Sequence, residues 1–209
     1  IGDVFDVGGD YESRVDNSFH YKTPNFGGFS GGFSYSLGED KSVTPAVSAS
    51  SNVALNLSYA NGPISVGFGH QTEKTQNRGA VVPPATQGPL LGTTSSNKYN
   101  FIGGGYDFGF AKLTAVFNTR KLNTNEDQEV AVGVQVPFGA VTLGAGYAQS
   151  QNEVGGVDGD KGTGFGLAAT YDLSKRTTFY AGVKATKVEN NNVDTNKSNL
   201  VAVGVRHRF

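Results

Sequence analysis

The 209-residue chain has no cysteine, no methionine and no tryptophan. Without cysteine there can be no disulfide, no thiol nucleophile and no zinc-finger spacing. Its three histidines, His20, His70 and His207, lie far apart and have neither ligand spacing nor a neighbouring nucleophile or paired acid. No metal, no cofactor and no enzymatic activity are expected. A net charge of −1 removes the basic excess that draws nucleic acid, so no nucleic-acid partner is expected either. No window approaches the roughly 18 consecutive apolar residues of a transmembrane helix, although a spanning strand needs only about 9–11 residues. The chain starts at Ile1 without Met and without a basic-then-apolar leader, which suggests a processed chain or, preferably, a fragment.

Glycine is abundant instead, at 30 residues, and hydrophobic residues make up 37%. That balance favours strands and turns over helices. Alternation of period two recurs along the chain, as in Val53, Leu55, Leu57 and Tyr59, or Val130, Val132, Val134 and Val136. It predicts eleven strands, near 14–23, 28–37, 52–60, 64–73, 98–108, 111–120, 129–137, 140–149, 163–172, 177–187 and 199–209. Short turns are expected at Thr23–Gly27, Asn61–Pro63, Phe108–Gly109, Pro137–Gly139 and Leu173–Arg176, alternating with long polar loops at 38–51, 74–97, 121–128, 150–162 and 188–198.

Strict alternation of short and long connections predicts an all-β, transmembrane, antiparallel up-and-down barrel of the bacterial outer membrane rather than a soluble sandwich. Ten residues rising about 3.3 Å each and tilted by roughly 45° span about 23 Å, close to the roughly 25 Å apolar band of such barrels. Aromatics stand before the short turns at Tyr21, Tyr59, Tyr106 and Tyr171, and Phe209 takes the equivalent place in the last strand. These five are expected to form a membrane girdle at the lipid interface. In the last strand Val201, Val203, Val205, His207 and Phe209 share the lipid side, and Arg206 and Arg208 share the water side. His70 and His207 fall on the lipid phase near opposite rims.

On the water phase stand Arg14, Asp16, His20, Lys22, Lys112, Arg120, Lys184, Arg206 and Arg208, with Asp172 near a turn, so the lumen wall reads as mainly basic. Acids read as concentrated in loops, including Asp3, Asp6, Asp10 and Glu12. Both ends of a barrel with an even strand number lie on the same side, so an odd number of strands is expected before Ile1, and eleven alone should not close.

The runs Ser13–Gly31, Tyr171–Gly182 and Val205-Arg-His-Arg-Phe209 resemble general porins of the Gram-negative outer membrane, above all the beta-proteobacterial type. The resemblance implies a homotrimer of sixteen-stranded barrels, each with a water-filled pore narrowed by an inward-folded third loop. It further implies a single barrel domain over 1–209, with 1–13 as the tail of that loop and 14–209 as the strands and loops that follow. Arg14 would match the constriction arginine, Lys184 the inward lysine of the penultimate strand, and Asp6 or Asp10 the loop-side acids. Lys22, Lys112, Arg120, Arg206 and Arg208 would be pore-wall charges. Outer-membrane lipids and the barrel-assembly machinery, reading the terminal Phe209, would be partners. The implied function is passive diffusion of ions and small hydrophilic solutes, and the mainly basic wall reads as adding a mild preference for anions. A substrate-specific channel, or an adhesin or enzyme barrel of about twelve strands, is the alternative.

Overall fold

In the computed structural model, residues 16–43, 46–79, 88–190 and 193–209 are described. Eleven strands form one antiparallel sheet: β1 (Ser18–Lys22), β2 (Phe29–Leu37), β5 (Ser51–Asn61), β6 (Ile64–Arg78), β7 (Leu90–Asp107), β8 (Lys112–Leu122), β9 (Asn125–Phe138), β10 (Val141–Val154), β11 (Val157–Ser174), β12 (Thr177–Asn190) and β13 (Val193–His207). A separate two-stranded ribbon, β3 (Ser42–Val43) with β4 (Ala46–Val47), sits in the connection between β2 and β5. Every sheet strand pairs with its sequence neighbour, the meander expected of an up-and-down barrel. All eleven predicted strands are present. Among the described residues the sheet is open, with β1 and β13 as its edges.

The sequence reading needs three adjustments. Among the described residues the first strand starts at Ser18, because Asn17 adopts a left-handed conformation with φ of 50° and breaks the extended backbone. The last strand ends at His207, so Arg208 and Phe209 lie beyond it. Finally, the segments 121–128 and 150–162 are not long loops. β8 and β9 continue to a two-residue turn at Asn123–Thr124, and β10 and β11 to one at Gly155–Gly156, whose φ values of 61° and 84° suit a type I′ hairpin. Strand pairing also runs through most of 188–198, from Val188↔Asn196 to Asn190↔Val193.

The two ends of the sheet therefore differ in strand extension more than in loop length. β7 and β11 have 18 residues each. At about 3.3 Å per residue and roughly 45° tilt they rise about 42 Å, well past an apolar band of roughly 25 Å. Their polar halves project on the side opposite the short turns.

Register makes the two faces unlike from edge to edge. Cross-strand partners share a face. The row Phe33↔Leu55↔His70↔Asn100↔Thr119 crosses the outward face. Below it run Leu57↔Phe68↔Ile102↔Phe117↔Val130↔Gln149 and Tyr59↔Val66↔Gly104↔Ala115↔Val132↔Tyr147. On the other face one row reads Gly105↔Thr114↔Gly133↔Gly146↔Gly166↔Lys184, and another Gln71↔Tyr99↔Arg120↔Asp127↔Asn152.

Candidate functional site: the polar face of the sheet

Large apolar residues are exposed on their face: Leu57 by 55%, Val66 by 46% and Leu143 by 45%. The best-covered strand residues of the polar face are Ser36, Asn52, Glu73, Glu129 and Ala148, the last only 1% exposed. A single-layer sheet can shield one face only by curling toward it, so the polar face is concave and the apolar face convex. This inverts the burial order of a water-soluble domain, in which exposed apolar patches stay small. It suits a wall between hydrocarbon outside and water inside.

Lys184 stands on the concave face in the glycine row. Its strand partners are Gly166 and Leu200, and beyond Gly166 lie Gly146 and Gly133. Half-buried, it has no acidic partner among the described residues. Residues without side chains beside a long lysine leave it room to reach across the concave space. Lys22, Lys112, Arg120 and Arg206 also take the concave face, opposite Gly32, Asp107, Asp127 and Thr178 respectively. Arg208 lies past β13: its amide donates to the Arg176 carbonyl at 2.9 Å, and its own carbonyl accepts from Arg176 Nε at 3.0 Å. His20 shares the concave phase and pairs with Ser18 Oγ at 2.8 Å. Arg14, Asp6 and Asp10, with Asp3 and Glu12, lie outside the described residues, and Asp16 sits in a bend.

The concave wall is not mainly basic. Glu73, Asp127 and Glu129 share it, on strand segments that the sequence reading assigned to loops or left without a charge role. Asp127 is held by Arg120 at 3.7 Å and by Asn152 Nδ2 at 2.7 Å, and Glu73 accepts from Gln71 Nε2 at 2.7 Å. Near the turns Asp172 accepts from Thr178 Oγ1 at 2.6 Å, and Asp107 lies opposite Lys112. The signal was present: counting back by twos from Ala131 reaches Glu129 and Asp127. Most of these acids are matched locally, whereas Lys184 is not.

Tyr21, Tyr59, Tyr106 and Tyr171 all lie on the convex face toward the short turns. Tyr59 packs against Phe29 with ring centroids 4.4 Å apart, and Tyr106 against Phe108 at 4.6 Å. Phe138 and Phe179 join this aromatic end, which the sequence reading credited to tyrosines and Phe209 alone. Phe209 is fully exposed beyond β13, its ring 5.0 Å from that of His207. Phe101 faces inward opposite Asn118, and Phe165 outward opposite Tyr147.

A meander of spanning strands with an apolar outer face, an aromatic rim and a charged inner face defines an outer-membrane β-barrel of the channel-forming type. The family model described as Gram-negative porin matches residues 1–192, and the chain belongs to that family, placed in the outer membrane. It is 31% identical over 235 residues to an outer-membrane porin of Bordetella pertussis and 27% identical over 216 residues to outer membrane porin protein 32 of Delftia acidovorans. Each alignment covers 94% of this chain, which spans 58% and 57% of the two relatives. Among solved structures it is similar to an anion-selective porin from Comamonas acidovorans, at 25% identity and a TM-score of 0.72, covering 93% of this chain and 60% of that one.

Proposed function

We propose that the chain forms the greater part of a passive channel through which ions and small hydrophilic solutes cross the outer membrane, with mild preference for anions. The observation that carries this reading is the inversion of the faces, exposed valines and leucines outside and covered polar groups inside. In a homotrimer of sixteen-stranded barrels, five further strands would close β1 onto β13. Residues 1–13 would be the tail of an inward-folded loop, with Asp6 or Asp10 facing Arg14 and Lys184 across the narrowest part. Lys22, Lys112, Arg120, Arg206 and Arg208 supply wall charge. Tyr21, Tyr59, Tyr106, Tyr171 and Phe209 anchor the rim in lipid, and Phe209 offers the end recognised during barrel assembly.

The mechanism needs no bound cofactor and no bond chemistry. Fixed charges bias the local ion concentration over a screening length of about 8–10 Å, and the width of the constriction sets the size limit. Anion preference is supported by Lys184, whose charge is unmatched, and by the similarity to a porin described as anion-selective. Acids on the same wall largely face bases or amide donors, so they subtract less. A substrate-specific channel would carry a ladder of inward aromatics, but Tyr99 and Phe101 on β7 stand apart from Tyr180 on β12.

Conductance of the full-length protein in planar bilayers tests the reading. Stepwise channel insertion, three-step closure under voltage and a reversal potential on the anion side of a salt gradient are expected. Absence of conductance from a folded, inserted barrel would favour the adhesin or enzyme alternative.

A further inference from the structure

Toward the long hairpins the apolar band of the convex face gives way to polar residues. On β9 the outward residues are apolar from Phe138 back to Val130, and the next one, Gln128, is polar. On β6, β7 and β8 the apolar series ends at Phe68, Ile102 and Phe117, and the next outward row is His70, Asn100 and Thr119. These three bond in a chain: His70 Nδ1 to Asn100 Oδ1 at 2.8 Å, and Asn100 Nδ2 to Thr119 Oγ1 at 3.0 Å. His70 Nε2 also contacts Thr72 Oγ1 at 3.1 Å. Such mutual pairing lowers the cost of setting polar groups at the edge of hydrocarbon.

One row further along, Lys98 stands directly opposite Lys121. Like charges in directly opposed positions destabilise a sheet. Elsewhere the fold repeats this arrangement and neutralises it, since Lys187 and Lys197 are also cross-strand partners but Asp194 bridges them at 2.7 and 2.5 Å. No such bridge serves the first pair. Lys121 has Glu126 at 3.6 Å, and Lys98 has no carboxylate partner among the described residues. The result is a polar row at the edge of the apolar band, topped by two under-neutralised ammonium groups.

We infer that this edge row, His70, Asn100 and Thr119 beneath Lys98 and Lys121, seats the phosphate headgroup of an anionic membrane lipid. A phosphate carries the missing negative charge and accepts several hydrogen bonds, and the acyl chains attached to it would lie along Phe68, Ile102 and Phe117 below. Free inorganic phosphate satisfies only the first requirement, so the site is assigned to lipid. The assignment rests on the reading that the convex face meets the bilayer.

Native mass spectrometry of the delipidated, detergent-solubilised full-length porin, titrated with short-chain phosphatidic acid, tests it. Wild type should retain the lipid, Lys98→Gln/Lys121→Gln should bind it roughly 10- to 30-fold more weakly, and Lys187→Gln/Lys197→Gln should match wild type. Heat-modifiable migration on gels checks that each variant is folded. Equal binding by the Lys98/Lys121 variant, or displacement by inorganic phosphate at concentrations matching the lipid, would overturn the headgroup site. Wild-type protein that conducts in bilayers without retaining lipid overturns this site alone, whereas protein that never inserts overturns the channel reading beneath it.

Discussion

Gly204 lies opposite Tyr180 on the concave face, and a Cβ built there would come 2.3 Å from the phenol oxygen. The ring occupies the space that the glycine leaves, covering a stretch of strand backbone next to water. Gly204→Ala should therefore force the ring aside and cost about 1–3 kcal/mol, read as a lower temperature for loss of the folded band on gels. Adding Tyr180→Ala should recover most of that loss, because the two residues act as one unit. Electrostatics separates Lys184 from Arg120 in the same way. Asp127 at 3.7 Å already matches Arg120, so Lys184→Glu should move the reversal potential toward cations more than Arg120→Glu does. The phases of Lys184, Arg120 and Arg206 were legible in the sequence, because each sits within or just beyond a run of alternating apolar residues. Glu73, Asp127 and Glu129 were not recognised as wall acids, because they lie where apolar neighbours give way to polar ones.

At the scale of the strand, the same loss of contrast explains which boundaries could be read. Inside the apolar band, hydropathy alternates and marks each strand; outside it both faces meet water, so alternation fades although the hydrogen-bonded ladder continues. Hence β8 to β11 ran on unseen through 121–128 and 150–162, and only the turn glycines Gly155 and Gly156 marked where the chain reverses. Register within the band is strongly constrained. Val203→Arg on the outward face of β13 should destabilise the barrel by about 2–4 kcal/mol, while Ala202→Arg on the concave face should be tolerated, as measured by folding into lipid vesicles.

The connection from β2 to β5 is held differently. Burial opposes the charged form of Asp40, but the Ser50 amide at 2.7 Å and hydroxyl at 2.6 Å outweigh it and hold the carboxyl below its ordinary value. Gln76 Nε2 donates to the Asp40 and Ser48 carbonyls, tying the loop to β6. With the folded value depressed, this contribution is complete at neutral pH and disappears as pH falls through the folded value. Proteolysis of the 38–50 connection should accelerate in that acidic range, and Asp40→Ala should cut readily already at neutral pH.

For the molecule as a whole, eleven strands, their order and their two unlike faces could be read from period-two patterning. That eleven strands alone should not close was expected as well, and among the described residues β1 and β13 are edges; the chain spans 57–58% of its curated relatives. The proposed channel wall, its proposed ion preference and the proposed lipid site all rest on one division, a polar concave side and an apolar convex side. The absence of cysteine makes the division directly measurable. Single cysteines placed at successive positions from Val130 to Val136 of the full-length protein in vesicles can be probed with a charged, water-soluble thiol reagent. Ala131, Gly133 and Gln135 should react rapidly, while Val130, Val132, Val134 and Val136 should resist it and be quenched by lipid-borne labels. Uniform reactivity along β9, or alternation of the opposite phase, would contradict the account.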